Sequence, residues 1–323
     1  MCTAIKFATS DHYFGRNLDL ECSYNETVTI VPRQFPLDFY CGENPTSHYA
    51  MIGMATVVDG YPLLYDATNE FGLSMAGLNF PGNAVYLKES PNLTNICPYE
   101  FIPWVLANCK TVSEVREKLQ HVNLVDVQFS DTIPLTPLHW MISDKKDSIV
   151  VEPRAEGIQI FENPVGVLTN NPPFDFHMYN LANFINLTRE EPSNRFSTKL
   201  ELLPYSRGMG GIGLPGDLSS SSRFIKAAFT KLNALCDKND DSSISQFFHI
   251  LSSVEQQRGC VRVGDKYEVT VYSSCCNTDK GIYYYRTYDN SQISAINMHH
   301  ENLNTNELVL FPLIKTQQIN LLN

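Results

Sequence analysis

The second residue of the chain is a cysteine, and its place at the start allows a particular kind of chemistry. Initiator methionine is normally removed when a small residue follows it. Removal of Met1 would leave a thiol and a free α-amine on Cys2. An α-amine is partly neutral at about pH 8, so it can act as general base for the thiol of its own residue. The alternative is that a cysteine follows Met1 by chance, and position alone does not decide between the two.

Two charged residues are expected to return to Cys2 through a hairpin. The runs 3–9 and 13–20 alternate like strands, and "SDHY" between them can turn, so the second strand brings Arg16 and Asp19 near the chain start. A guanidinium favours thiolate over thiol, and a carboxylate can hold an amine. Positions 16 and 19 face opposite sides of a strand, so a bulge or strand end is needed for both to reach Cys2. A surface ion pair is the simpler alternative.

Two asparagine sites are candidates for holding a developing negative charge. In "GLNF" (77–80), Asn79 ends a strand-like run, and in "VLTNNPPFDFH" (167–177) a similar run ends in Asn170 and Asn171 before two prolines. A fixed, neutral amide NH₂ is a suitable donor to an oxyanion. Asparagine before proline is also ordinary turn chemistry, so this pair has a purely structural explanation as well.

The segment "SRGMGGIGLPGDLSSSSRF" (206–224) contains a glycine motif and an unexpected cation. Three glycines between positions 208 and 213 match G-x-G-x-x-G, but no strand is expected before them and Pro215 postpones the helix. We therefore reject a dinucleotide site. The serines are expected to begin a helix, which puts Arg223 in its first turn, where the helix dipole disfavours a cation. An arginine at this position suggests an anionic partner.

No metal site is predicted. The eight histidines are scattered, and the adjacent pair His299–His300 lacks Cys, Asp or Glu partners at ligand spacing. His139 could be proposed as the base for a cysteine elsewhere, but nothing in the local sequence supports such a pair. The pair Cys275–Cys276 is most simply a buried step in a strand.

The periodicity predicts strands, helices, strands, helices and strands, in that order. Short alternating runs between turn residues predict strands at 3–9, 13–20, 26–32, 50–58, 63–68, 73–80, 138–143, 148–152, 157–161, 166–169, 267–273, 281–288, 292–298 and 308–313. Helical spacing predicts helices within 98–122, where Thr111 and Glu114 occupy capping-box positions, and at 176–187, 222–236 and 242–254. Strands joined by short turns favour antiparallel sheets with helices on their faces. Without repeats or a clear linker, residues 1–323 are expected to form one domain.

The composition restricts the classes of partner. The chain has 323 residues, 43% of them apolar, and a formal charge of −11. Without a basic run to offset that charge, nucleic acid and anionic membranes are not expected as partners. No apolar run is long enough to span a membrane, and the first residues lack the apolar core of a signal peptide. Nine cysteines without a C-x-x-C pair indicate reduced thiols and predict a cytoplasmic protein.

Several stretches, taken together, resemble the choloylglycine hydrolase family, which includes bile salt hydrolases and penicillin V acylases. They span nearly the whole chain and include "MCTAI", "FGRNLDLE", "YDATNEFGLSMAGLNF", "GVLTNNPPFDFH" and "GLPGDLSSSSRF". The resemblance implies the α+β fold of N-terminal nucleophile (Ntn) hydrolases, an αββα sandwich of two antiparallel sheets between helical layers. It implies hydrolysis of the amide joining a bile acid to glycine or taurine, without a cofactor. It also implies a homo-oligomer, by analogy a tetramer.

The resemblance also implies roles for the charged candidates. Cys2 would be the nucleophile, with its own amine as the base. Asp19 would orient that amine, Arg16 would lie beside the thiol, and Arg223 would complete the charge environment.

Further roles follow for the amides and for the pocket. Asn79 and Asn170 would stabilise the tetrahedral intermediate, and Asn170 is preferred to Asn171 because related acylases keep only the first asparagine. A steroid is large, rigid and apolar, so its pocket should be apolar and aromatic. Candidate lining residues, for each of which ordinary core packing is an equal alternative, are Leu20, Tyr24, Tyr65, Phe129 and Leu135.

Two other functions remain open at this level. An acylase of the same fold could act on penicillin V or on N-acyl homoserine lactones, although penicillin V acylases tend to carry tyrosine where this chain has Asn79. A non-catalytic protein that binds steroids in the same pocket is the alternative from another class.

Overall fold

Two large antiparallel sheets form the centre of the molecule in a computed structural model that describes residues 1–41 and 44–323. The strands, in chain order, are β1 (Cys2–Ala8), β2 (His12–Leu20), β3 (Thr27–Val31), β4 (Met51–Val58), β5 (Tyr61–Asn69), β6 (Ser74–Asn79), β7 (Thr94–Ile96), β8 (Val122–Leu124), β9 (Leu138–Ser143), β10 (Ser148–Arg154), β11 (Gly157–Glu162), β12 (Val167–Leu168), β13 (Arg262–Val263), β14 (Lys266–Tyr267), β15 (Val269–Asn277), β16 (Ile282–Thr287), β17 (Asn290–Asn297) and β18 (Val309–Pro312). The helices are α1 (Phe101–Asn108), α2 (Val112–Leu119), α3 (Phe174–Asn180), α4 (Ser220–Asn233) and α5 (Asp240–Ser252).

The strand order shows how the two sheets are built. One sheet has six strands in the order β12-β1-β2-β15-β16-β17, and the other has eight in the order β11-β10-β9-β6-β5-β4-β3-β18. Strands from early and late in the chain meet in the six-stranded sheet, since β2 pairs with β15. The site at the start of β1 is therefore assembled from segments that are far apart in the sequence.

The eight-stranded sheet is covered on both faces, and its sequence shows why. Along β9, Met141 belongs to one apolar cluster, while its neighbours Trp140 and Ile142 belong to another. In β10, Val150 packs with Met141, and Ile149 packs on the opposite face. Side chains in a strand alternate between faces, so one face contributes to the core shared with the six-stranded sheet and the other packs on α1 and α2.

The helices complete the layers. Helices α4 and α5 pack against β1, β2, β12 and β15 of the six-stranded sheet, while α1 packs against β5 and β6. The predicted cap of α2 is present, since the Thr111 side chain accepts a hydrogen bond from the amide of Glu114 at 3.2 Å. The αββα arrangement expected from the resemblance is confirmed.

The differences from the sequence prediction lie mainly at element ends. Strand β15 continues to Asn277, so that Cys275 and Cys276 lie inside it and are buried. The helix predicted over 176–187 begins at Phe174, directly after Pro173, and gives way to a 3₁₀ turn at Leu181–Phe184. Pro173 is the N-cap residue, and the amide of Phe174 that follows it donates to the Glu152 side chain at 2.9 Å, which supports the earlier start.

Two further observations concern the described residues. None of their helices is long and apolar enough to cross a membrane. No group of three or more His, Cys, Asp or Glu side chains in the described ranges is placed to hold a metal ion.

We predict that Gly15→Ala strongly destabilises the fold. Strand β2 approaches β15 so closely that a Cβ at Gly15 would lie 2.0 Å from the main-chain oxygen of Ser274. Because main-chain atoms would have to move, we expect the free energy of unfolding to fall by at least about 2 kcal/mol, measured by chemical denaturation. The control is Gly216→Ala, where a Cβ meets nothing within 4 Å. Equal stability of the two variants would contradict the close approach.

Candidate active site

Cys2 begins strand β1 at the edge of the interior. It is buried and lies opposite Leu18 in the β1–β2 ladder. Residue 1 continues this pairing, since the amine of Met1 donates to the Asp19 carbonyl at 2.7 Å and the Asp19 amide donates to the Met1 carbonyl at 2.9 Å. The amine of Met1 also forms an ion pair with buried Glu268. The nitrogen of Cys2 therefore lies within a group of polar atoms at the end of a strand.

Arg16 shares a strand face with the Cys2 side chain. Directly opposite residues of an antiparallel ladder point the same way, and the pairs Cys2 with Leu18 and Ala4 with Arg16 belong to one face. On this face the Arg16 guanidinium donates to the main-chain oxygens of Tyr65 at 3.0 Å and Gly77 at 2.5 Å. The Nη2 atom is buried and has no partner among the described residues.

The charges around Arg16 keep it cationic. Burial alone would lower the pKa of the guanidinium, but Cys2, Tyr272 and Asp66 raise it above its ordinary value. Asp66 is fully buried and accepts hydrogen bonds from the hydroxyls of Tyr272 at 2.6 Å and Tyr283 at 2.7 Å. The interior thus provides a fixed positive charge on the thiol side of residue 2.

Asp19 lies on the opposite face of β2 and approaches residue 2 from the α4 side. Its Oδ1 atom accepts a hydrogen bond from the Thr270 hydroxyl at 2.6 Å, while Oδ2 is buried and has no hydrogen-bond partner among the described residues. A bulge in β15 between Thr270 and Tyr272 lies opposite this part of β2. Burial raises the pKa of Asp19, and Arg223 and the chain amine oppose that shift.

Arg16 and Asp19 lie on opposite faces of β2, and both can still lie near residue 2 without a bulge in that strand. Cys2 is the first residue of its strand, so its side chain and its nitrogen are approached from different sides. Arg16 lies on the thiol side, and Asp19 lies on the side of α4.

Arg223 connects three separate segments in the first turn of α4. It donates to the Cys2 carbonyl at 2.5 Å, to the Thr3 hydroxyl at 2.7 Å and to Asn170 Oδ1 at 2.9 Å. Its Nη1 atom lies 3.9 Å from Asp19 Oδ2. Burial lowers the pKa of Arg223, and Asp19 and Cys2 oppose that effect. These acceptors account for a cation at a helix start, where the dipole disfavours one.

Asn170, and not Asn171, contacts residue 2. The Cys2 nitrogen donates to Asn170 Oδ1 at 2.7 Å, and Asn170 Nδ2 donates to the Asn79 carbonyl at 2.7 Å. Asn171 instead donates to the Pro81 carbonyl at 2.7 Å. The amide oxygen of Asn79 is buried without a partner among the described residues. Asn170 therefore uses its oxygen toward Cys2 and its NH₂ toward the main chain of Asn79.

The expected pocket residues divide into two groups. Leu20 and Tyr65 pack against the shared core, and the Thr56 hydroxyl joins the Tyr65 hydroxyl at 2.9 Å and the Tyr24 carbonyl at 3.1 Å. Tyr24 itself is 55% exposed. Phe129 packs instead on Tyr61 and Tyr99, with ring centroids 5.7 and 5.2 Å away, and Leu135 is half-buried.

Sequence reasoning missed the residues that support the site. Thr270 binds Asp19 although it lies 251 positions away, and Ser220 accepts a hydrogen bond from the Asn170 amide at 2.8 Å. Thr3 binds Arg223. Threonine and serine are common in strands and at helix starts, so their types give no local signal.

The arrangement has the parts required for acyl transfer through a thiol. A thiol lies on the same strand face as a buried guanidinium. The nitrogen of the same residue is held by an amide oxygen. Its carbonyl is linked through Arg223 to the carboxylate of Asp19, whose Oδ2 has no hydrogen-bond partner among the described residues.

Comparisons with known proteins agree with this chemistry. A family model described as linear amide C–N hydrolases, choloylglycine hydrolase family, matches residues 2–311. The chain is 57% identical over 314 residues to a bile salt hydrolase/transferase of Lactiplantibacillus plantarum, covering 97% of each chain. The crystal structure of the C2A mutant of conjugated bile acid hydrolase from Clostridium perfringens matches with a TM-score of 0.92 and 43% identity over both full chains. Penicillin V acylase from Agrobacterium tumefaciens, at 20% identity and a TM-score of 0.73, covers 95% of this chain and 90% of its own, and shares the fold.

We predict that Arg16 controls the reactivity of the Cys2 thiol. In protein that starts at Cys2, Arg16→Gln should slow alkylation of Cys2 by iodoacetamide at pH 7 by about tenfold, because the thiolate loses its neighbouring cation. Arg16→Lys should give an intermediate rate, since it keeps the charge without the forked contacts. Mass spectrometry of the Cys2 peptide measures both rates.

The control for this prediction is Arg189→Gln, because Arg189 pairs with Glu190 at the surface. Melting curves should first show that each variant is folded. If folded Arg16→Gln reacts as fast as the wild type, the guanidinium does not act on the thiol.

Proposed function

We propose that this chain, which belongs to the choloylglycine hydrolase family of linear amide C–N hydrolases, cleaves the amide bond of bile acids conjugated to glycine or taurine. The observation that carries the proposal is the contact of the Cys2 nitrogen with Asn170 Oδ1, which Arg223 also binds. It occurs in a chain 57% identical to a protein named bile salt hydrolase/transferase.

Cys2 acts as the nucleophile once its amine is free. Its sulfur attacks the amide carbonyl carbon and forms the C–S bond, and the carbonyl electrons move to oxygen. The amine takes the thiol proton and then gives a proton to the departing nitrogen as the C–N bond breaks. Water attacks the thioester, which releases the free bile acid and restores the thiol.

The charged neighbours divide their work between the two ends of Cys2. Arg16 supplies a buried positive charge on the side-chain face of Cys2. Asp19 orients the amine through Oδ2, the oxygen that has no hydrogen-bond partner among the described residues. Arg223 fixes the Cys2 carbonyl, which limits rotation of the residue during the reaction.

The amides act on the oxyanion and on the nucleophile's nitrogen. Asn79 stabilises the tetrahedral intermediate through its NH₂ group, which donates to no protein atom within the described ranges. Asn170 supports the same intermediate by holding the main chain of Asn79 through Nδ2, while its oxygen fixes the Cys2 nitrogen. The steroid lies against apolar and aromatic side chains around the mouth, for which we propose Leu20, Tyr24, Tyr65, Phe129 and Leu135.

We further propose a homo-oligomer, by family analogy a tetramer. The segment 185–208 has no helix or strand, and it exposes large apolar side chains such as Phe196 (81%), Leu203 (77%) and Tyr205 (83%). Exposed apolar surface of this kind is typical of interaction sites. A second copy of the chain is the occupant we propose for it.

We also propose a cytoplasmic location. All nine cysteines are free, and Cys22, Cys41, Cys236 and Cys260 are at least partly exposed. Thiols of this kind persist in a reducing compartment.

We predict that amine release depends on the thiol. Wild-type protein should release glycine from glycocholate and taurine from taurocholate, while Cys2→Ala should release neither above background and Cys2→Ser should lose at least about 100-fold in kcat, since serine is a much weaker nucleophile. Amine release is measured with ninhydrin.

Two controls separate the alternative functions. Faster turnover of penicillin V or of an N-acyl homoserine lactone than of glycocholate would favour an acylase of the same fold. Unchanged glycocholate binding by Cys2→Ala together with no amine release by the wild type would favour a non-catalytic steroid-binding protein.

We predict that the exposed segment maintains the assembly. Light scattering should give the wild type about four times the mass of the 36.5 kDa chain, and Phe196→Ser/Leu203→Ser/Tyr205→Ser should give a smaller particle. The matched control is Leu321→Ser/Leu322→Ser at the exposed chain end, which should keep the wild-type mass. A wild type that runs as a monomer contradicts the proposed assembly.

A further inference from the structure

Two buried histidines contact the main chain that carries Asn170, and neither touches Cys2. His139 Nε2 donates to the Thr169 carbonyl at 2.9 Å, and His177 Nε2 donates to the Asn170 carbonyl at 2.9 Å. Both imidazoles are completely buried. The two rings thus hold consecutive carbonyl groups immediately beside the side chain that binds the Cys2 nitrogen.

Each imidazole also stacks on the aromatic ring of a phenylalanine that directly follows another site residue in the sequence. His139 lies on Phe80, which follows Asn79, with ring centroids 4.2 Å apart and planes 6° from parallel. His177 lies on Phe224, which follows Arg223, with centroids 4.7 Å apart and planes at 18°. The histidines therefore fix Asn170 relative to β6 on one side and α4 on the other.

The same carboxylate supports both histidines. Glu152 is buried, and its Oε1 atom accepts hydrogen bonds from His139 Nδ1 at 3.3 Å and from the Phe174 amide at the start of α3 at 2.9 Å. Helix α3 carries His177. Although burial raises the pKa of Glu152, hydrogen bonds from His139 and Arg154 hold it below its ordinary value. Glu152 is therefore an anion that anchors one histidine directly and the other through its helix.

The hydrogen-bond partners show which nitrogen of each imidazole faces an acceptor oxygen. Both nitrogens of His139 face acceptor oxygens, Nε2 the Thr169 carbonyl and Nδ1 the Glu152 carboxylate. Burial lowers the pKa of His177 to about 4, so near neutral pH this ring is neutral. Its single hydrogen lies on Nε2, toward Asn170, while Nδ1 has no partner among the described residues.

We propose that His139 and His177 are positioning residues that hold the Thr169–Asn170 main chain, and thereby keep Asn170 in contact with the Cys2 nitrogen and Arg223. The mechanism above does not use either ring. This inference rests on the proposed function only for its activity measurement. A shift of about 1 Å in a positioning group costs up to about 100-fold in rate, so loss of either carbonyl contact should reduce kcat.

Glutamine and asparagine substitutions at each histidine test this proposal, because each of these side-chain amides reproduces one ring nitrogen. Glutamine places its NH₂ near the position of Nε2, and asparagine places its NH₂ near Nδ1. We expect His139→Gln and His177→Gln to keep kcat for glycocholate within about threefold of the wild type. His139→Asn and His177→Asn should lose about tenfold or more in kcat with little change in KM.

A readout without substrate separates this proposal from the proposed function. Loss of the Asn170 contacts moves the base and Arg223 away from the thiol, so alkylation of Cys2 by iodoacetamide should slow in the asparagine variants and not in the glutamine variants. If the wild type releases no amine but alkylation ranks the variants in this way, the proposed function fails and the positioning role stands. Equal kcat and equal alkylation rates within each folded pair would overturn the positioning role.

Discussion

The buried guanidinium of Arg223 is the contact on which the rest of the site depends. A buried cation is costly unless its hydrogens are bonded, and this one is satisfied by atoms of β1, of the segment after β12 and of Leu218 just before α4. Those three segments come from the beginning, middle and later part of the chain. If any one of these segments moved away, a buried N–H group of the Arg223 guanidinium would lose its acceptor. The cost of that loss keeps Cys2 aligned with Asn170.

The two faces of the β1–β2 hairpin give the side chain and the nitrogen of residue 2 different surroundings. A residue in the middle of a strand presents only its side chain to one face, since its nitrogen is part of the ladder. At the first position of β1, the nitrogen is instead held by a side-chain oxygen. Arg16 then lies on the side-chain face of residue 2, and Asp19 lies on the opposite face, which is the arrangement that the proposed mechanism uses.

The sequence alone predicted the hairpin, most strands and the helix cap at Thr111, because these depend on spacing over a few residues. It also indicated an anionic partner for Arg223, from its place in a first turn, and the family resemblance added that Arg223 would complete the charge environment. The contacts with the Cys2 carbonyl and Asn170 appear only in the structure, since Cys2 and Arg223 are 221 positions apart. His139 was considered as a base and rejected. Its contact with the Thr169 carbonyl depends on how β9 lies beside the end of β12, which no local pattern encodes.

In the proposed mechanism, retention or loss of residue 1 decides whether this geometry can react. With Met1 attached, the Cys2 nitrogen is an amide, whose lone pair is delocalised and cannot accept the thiol proton. Its single hydrogen is used on Asn170 Oδ1, while Asp19 Oδ2 lies 3.9 Å from Arg223 Nη1 and has no hydrogen-bond partner among the described residues. A free amine at the same position would keep the first contact and have further hydrogens to donate, and in the proposed mechanism Asp19 accepts one of them. The amide and amine forms of the chain therefore differ in whether the Cys2 nitrogen can take up the thiol proton.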